Sequence, residues 1–162
     1  MCWLRSGDTG FTLIEIMIAV AIVTIGVTLA IPEYQRWYVQ TQLRQATSEI
    51  ATQLTLARMA GMNRNRSVDV TVQTSAGAIH ISAVASSSGV SVINDKSFPA
   101  SVTSVIGSPV MVSFSSMGTK TSGGTGTQMI GVCDKYNRQY SVRIIPSGKV
   151  NWSVTSSGTP CP

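Results

Sequence analysis

Residues 11–31 read FTLIEIMIAVAIVTIGVTLAI, 21 consecutive positions with one ionisable side chain, Glu15. At 1.5 Å per residue such a helix is about 30 Å long, the thickness of a bilayer's hydrocarbon core. A core helix of a soluble domain keeps a polar face, and this stretch has none. It therefore predicts a helix that crosses a membrane. A secretory signal would place its basic region first, its apolar stretch next and a small-residue cleavage site last. Here Gly10 precedes the apolar stretch and no Ala-x-Ala site follows it. The preceding MCWLRSGDTG is short and polar, and Arg5 favours holding that end in the cytoplasm, weakly because of Asp8.

Glu15 is the informative residue of the run. A carboxylate inside hydrocarbon is costly unless paired, so an intramembrane acid marks function by default. A cut after Gly10 would give Phe11 a free amine four residues from Glu15, on the same helix face. That amine would neutralise its own Glu15, or the Glu15 of a neighbouring subunit and so set an axial stagger. The third reading is a carboxylate that snorkels to the nearby interface, and the residues alone leave all three open. Pro32 has no N–H and is expected to kink the helix near the membrane surface. Gly26 either weakens the same stretch, so that the segment between it and Pro32 can stretch or melt in a filament, or, with Ala30, permits close helix packing.

Gly10-Phe11-Thr12-Leu13-Ile14-Glu15, followed by the apolar run and Pro32, resembles the prepilin-peptidase recognition motif of type IV pilins and type II secretion pseudopilins. The resemblance implies cleavage by prepilin peptidase between Gly10 and Phe11, N-methylation of Phe11, and Glu15 with Thr12 as assembly residues. It also implies an inner-membrane protein with a periplasmic C-terminal part, partnered by other pilins or pseudopilins, with no catalysis and no cofactor.

From Glu33 the chain runs without Pro or Gly to Gly61. Leu43, Ala46, Ile50, Leu54, Ala57 and Gly61 recur at helical spacing, while Thr41, Gln45, Ser48 and Gln53 fall off that stripe. The membrane helix is thus expected to continue as an amphipathic one, about 50 residues and 75 Å in all. Tyr34, Trp37 and Tyr38 sit where an interfacial aromatic belt belongs. Asn63-Arg64-Asn65-Arg66 ends the helix. Alternation of apolar and polar residues then predicts strands around 68–72, 79–83, 110–114, 129–133, 140–145 and 150–154. Gly/Ser-rich breaks separate them at 86–89, 118–126 and 146–148. The expected fold is α+β: a long N-terminal helix, membrane half plus amphipathic half, packed on an antiparallel β-sheet. The expected organisation is a leader at 1–10, a transmembrane helix at 11–31, an amphipathic helix at 32–62 and a β-rich pilin domain at 63–162.

Leu56-Ala57-Arg58-Met59-Ala60, with Asn63-Arg64-Asn65 leading into Val68-Asp69-Val70, resembles the GspH/FimT family of minor pilins and pseudopilins. Phe114-Ser115-Ser116-Met117-Gly118 and the run from Arg143 to Val150 match its later strand-turn signatures. This resemblance implies a minor subunit that starts or primes a type IV pilus or a type II secretion pseudopilus.

Low charge, 12% of residues, with abundant Ser, Thr and Gly suits an extracytoplasmic surface better than a cytosolic enzyme. Of three cysteines, Cys2 would leave with the leader, and Cys133 and Cys161 are expected to form a disulfide in an oxidising compartment. His80 stands alone on the polar side of a strand, with no metal-ligand spacing around it. Gly123-Gly124-Thr125-Gly126 precedes a strand and reads as a hairpin loop, not a phosphate cradle. From Glu33 onward eleven Lys/Arg face five acids. Lys135, Arg138, Arg143 and Lys149 are the candidate contacts for DNA, the alternative partner. Some FimT-like pilins take part in DNA uptake with a C-terminal Gly-Arg-x-Arg pattern. The corresponding Gly148-Lys149-Val150-Asn151 replaces the first Arg by Lys and lacks the second, which removes bidentate phosphate contact.

Overall fold

The computed structural model describes residues 11–98, 102–122, 126–153 and 161. The expected leader with Cys2 and Gly10, the loop residues Gly123, Gly124 and Thr125, and Val154 at the expected end of the last strand lie outside the described residues. Contacts divide the chain into two units, the first ending at Trp37 and the second beginning at Tyr38.

The first unit is the beginning of α1 (Leu13–Asn63). Its apolar side chains are exposed on all sides, and it is long and apolar enough to cross a membrane. Thr24 and Thr28 do not break that character, because their hydroxyls donate to the carbonyls of Val20 (2.7 Å) and Ile25 (2.8 Å). Pro32 lies inside α1, whose helical run continues through it, and the Thr28 carbonyl lacks its usual donor there. The Tyr34 and Trp37 rings stack at a tilt, 6.0 Å between centroids.

The second unit packs the rest of α1 on two antiparallel sheets. After α1 come β1 (Val68–Ser75), β2 (Ala78–Ala85), β3 (Ser91–Ser97), β4 (Val102–Val105), β5 (Val110–Phe114), β6 (Gln128–Asp134), β7 (Gln139–Ile144) and β8 (Val150–Ser153). One sheet has the order β3-β2-β1-β5 and the other β4-β6-β7-β8. The expected fold, a long helix packed on antiparallel β-structure, is present, but with eight strands in two sheets where six or seven strands in one sheet were expected. β3, SVINDKS, lacks a clean alternation, and β4 is four residues long, so neither carries a legible period.

Every member of the helix stripe is buried: Leu43, Ala46, Ile50, Leu54, Ala57 and Gly61. They join Val68, Val70 and Val72 of β1, Ile79 and Ile81 of β2, Val112 and Phe114 of β5, Ile130 and Val132 of β6, and Val142 and Ile144 of β7 in one core. At about 25 cal/mol per Å² of apolar area, this burial is the main force holding helix to sheets. Gln53, read as off the stripe, is buried; its Nε2 donates to Glu49 Oε1 at 2.8 Å. β6 is covered on both faces, since Gly131 through Asp134 are all buried. Gly131 permits this, because a Cβ there would lie 2.7 Å from Ile106 Cδ1 and 2.6 Å from Gln139 Nε2. Cys133 and Cys161 are joined, with 5.9 Å between their Cα atoms, so the tail is pinned to β6.

Candidate functional site

Two places concentrate the residues singled out above, one in each unit. In the first, Thr12 caps α1: its Oγ1 accepts from the Glu15 N–H at 3.3 Å, and its carbonyl accepts from Glu15 and Ile16 at 3.1 and 3.3 Å. Thr12 is therefore the N-cap residue, with Glu15 at the third helical position, the spacing of a capping box. An acid in the first turn also faces the positive end of the helix dipole. That local role accounts for Thr12 and is legible as Thr three residues before Glu. Phe11 and Glu15 are exposed, available to groups outside the chain.

The second place is the C-terminal end of α1, where three turns meet. Arg58 donates through Nε to the Gly118 carbonyl at 2.8 Å and through an Nη to the Ser147 carbonyl at 3.2 Å. The turn after β5 is thereby tied to the turn between β7 and β8, and both to the helix. The backbone N–H of Lys120 adds a bond to the Pro146 carbonyl at 3.0 Å. Gly118 and Gly148 have φ of +76° and +79°, the region that favours glycine. A Cβ on Gly148 would overlap the Gly118 carbonyl oxygen, and one on Gly118 would come within 2.6 Å of Met62 Sδ. The Leu-Ala-Arg helix end and the two later turn signatures are thus one structural clasp. These segments are far apart in the chain, and no local pattern tells that Arg58 joins them.

The four basic residues considered for DNA do not gather. Lys135 and Arg138 lie in and beside the turn before β7, whereas Arg143 and Lys149 lie at the end of β7 and in the turn after it. The ends of a six-residue strand are separated by about 16 Å. Arg138 is engaged: its Nε donates to the buried Asp134 Oδ2 at 2.8 Å, and an Nη donates to Gln40 Oε1 at 3.3 Å. Asp134 Oδ1 also accepts the N–H groups of Tyr136 and Arg138, so the pair holds the β6–β7 turn. Lys135 Nζ lies over the Tyr136 ring at 5.1 Å, and the Arg44 guanidinium over Trp152 at 5.7 Å. Lys120, largely buried, donates to the Ser122 carbonyl at 2.6 Å. Arg64, Arg66, Arg143 and Lys149 are exposed and make no ion pair, ring contact or side-chain hydrogen bond among the described residues.

His80 Nδ1 lies 3.8 Å from Asp95 Oδ2 across β2 and β3. No group of three His, Cys, Asp or Glu side chains able to hold a metal occurs among the described residues. Nearby, Lys96 Nζ donates to Glu49 Oε1 at 2.6 Å. That bond, helped by the one from Gln53, holds the Glu49 carboxyl below its ordinary value. A lowered carboxylate pKa adds stability that is present above the unfolded-state value and lost as pH falls through the folded-state value. The pair is partly exposed, so its expected contribution after screening is about 0.5 kcal/mol. Thermal melts across the acid range should show that small loss below about pH 4 in the parent. Glu49→Gln should lack it, and equal slopes in both proteins would remove the pair from the stability account.

Comparison with known proteins places these features. Residues 5–31 match the prokaryotic N-terminal methylation motif, and residues 46–148 match the family described as type II transport protein GspH. A fimbrial protein of Pseudomonas aeruginosa is 49% identical over 51 residues, which cover 32% of this chain and 33% of that one. The type IV major fimbrial protein FimA of Dichelobacter nodosus is 46% identical over 46 residues, 28% of this chain and 30% of that one. The chain thus spans about a third of the length of the curated relatives it matches. The crystal structure of the Pseudomonas aeruginosa type IV minor pilin FimU superposes with a TM-score of 0.52 at 16% identity, covering 75% of this chain and 94% of that one. At that identity the likeness establishes the fold: one long N-terminal helix packed on antiparallel sheets.

Proposed function

The chain belongs to the GspH family of type IV pilin-like proteins, and on that premise we propose that it is a minor pilin or pseudopilin that enters a filament and helps initiate it. The observation that carries this reading is the apolar, fully exposed first unit of α1 headed by Phe11, Thr12 and Glu15. Its large apolar side chains are exposed and its threonine hydroxyls are satisfied on its own backbone, so hydrocarbon or neighbouring helices suit it. In this reading residues 11–31 span the inner membrane once, with the part from Tyr38 onward on the periplasmic side. Prepilin peptidase cuts between Gly10 and Phe11, Phe11 is N-methylated, and Glu15 docks against an N-terminal amine as the subunit leaves the lipid. Pro32 supplies a bend near the membrane surface, with Thr12 fixing the helix start beside the docking acid. The family and fold are those of structural pilins, and no reaction is assigned to the chain. The DNA-binding alternative retains only Arg143 and Lys149 of its four residues at one end of β7.

The test begins with N-terminal mapping of the membrane form, which should start at methylated Phe11. Glu15→Gln keeps a hydrogen-bonding group at the third helical position but removes the charge. If the acid pairs with an amine, Glu15→Gln and Glu15→Ala should both be processed normally yet enter filaments at least tenfold less than the parent. An intact Met1 on the mature membrane form, or normal incorporation of both variants, would overturn the proposal.

A further inference from the structure

The end of the second unit built by the α1–β1 turn, the turn after β5 and the β7–β8 turn is an unusual surface. The Arg58 bonds place these three turns together, and the carbonyl of Arg66 and that of Ser115 both lie close to Gly61. Arg64, Arg66, Arg143 and Lys149, the four cations without a partner among the described residues, all belong to the segments that meet here. Asp69, half-buried two residues into β1, is the one carboxylate on those segments. Among the cations stand two exposed methionines, Met62 at 38% and Met117 at 84%. Arginine with methionine is the composition of a protein contact, since both are enriched in interfaces and methionine adapts to an irregular partner. The segments 64–69, 115–118 and 143–149 contain no aromatic residue on which a base could stack, which disfavours single-stranded nucleic acid.

We propose that this end is the docking face for a different filament subunit, one that presents carboxylates around an apolar side chain. This rests on the pilin reading above and names the kind of neighbour that reading requires. A second copy does not meet the requirement. Outside the first unit, Glu49 is paired with Lys96 and Asp134 is buried against Arg138, while Asp95 lies beside His80. That leaves the half-buried Asp69, which sits among the cations themselves, and the single exposed Asp95, too few acids to match four cations, and two copies brought together here would set like charges face to face. The asymmetry assigns the chain to a junction between unlike subunits, where charge selects the neighbour and the methionines fill its apolar relief.

The experiment uses the full-length chain in cells that assemble filaments. A benzophenone amino acid replaces Met117, and in a second strain Ala76, exposed in the β1–β2 turn at the opposite end of β1. Irradiation should join the Met117 position to one other pilin-like subunit, through a peptide that contains Asp or Glu, and the Ala76 position should not reach that subunit. Arg64→Glu with Arg66→Glu should reduce the adduct at least tenfold, and Arg64→Gln with Arg66→Gln should reduce it less. Retention of the Cys133–Cys161 bridge in each variant reports that the fold is kept. An adduct with a second copy, with nucleic acid or with lipid overturns the proposal, as does no adduct or one indifferent to charge reversal. If the chain still enters filaments in those cases, only the docking face has failed. If it keeps its leader and never enters filaments, the pilin reading has failed with it.

Discussion

Gly148→Ala is expected to cost about 4 kcal/mol of stability, the largest effect of any conservative change in the β-rich unit. Two causes add. At φ +79° an alanine is strained by about 1–2 kcal/mol, because its Cβ crowds its own backbone. In addition that Cβ would overlap the Gly118 carbonyl oxygen, a backbone atom that cannot rotate away. The Gly118 carbonyl also accepts the Arg58 bond, so moving it would loosen the clasp that joins both turns to α1. Urea denaturation of the full chain in detergent micelles measures the loss. Lys149→Ala, one residue on and exposed, is the comparison and should change stability by less than about 0.5 kcal/mol. Equal midpoints for the two variants would show that the turns give way easily, and would remove the clasp as an organising element.

Loss of the Cys133–Cys161 bridge is the second large effect. The bridge closes a loop with a sequence separation of 28, worth about 3.6 kcal/mol on the chain-entropy model. Cys161→Ser should lose about that much. Cys133→Ser should lose more, by about 1–3 kcal/mol, because Cys133 is fully buried and a serine hydroxyl there adds an unpaired polar group. Reductant should lower the stability of the parent to that of Cys161→Ser and leave the variant unchanged. A parent indifferent to reductant would mean that the folded core holds the tail without the cross-link.

The two units differ in how much of them is legible in the sequence. Residues 11–31 needed no tertiary context, because length, uniform apolarity and one acid at the fifth position are local properties that predict a helix long and apolar enough to cross a membrane. The stripe from Leu43 to Gly61 was equally legible, since a period of three to four residues on a helix implies a buried face whatever covers it. β1, β2 and β5 to β8 carried alternation or apolar density strong enough to name. β3 and β4 did not, because their residues satisfy pairing with β2 and β6 but present no regular face.

What remained hidden was long-range partnership. Lys135, Arg138, Arg143 and Lys149 are neighbours along the chain, yet an antiparallel hairpin sends its two turns to opposite ends, so their charges separate. Arg64 and Arg66, some 80 residues away from Lys149 in the chain, come instead to its end of the fold. Arg58, Gly118 and Gly148 lie in three separate signatures of the same family resemblance, and only in space does Arg58 reach the carbonyls of both turns. The sequence alone determined that this protein has an exposed apolar helix with an acid near its start, and an amphipathic continuation that must bury one face. Only the tertiary structure decided which cations are engaged and which stand free, because ion pairs and carbonyl contacts depend on positions in space that period and composition do not encode.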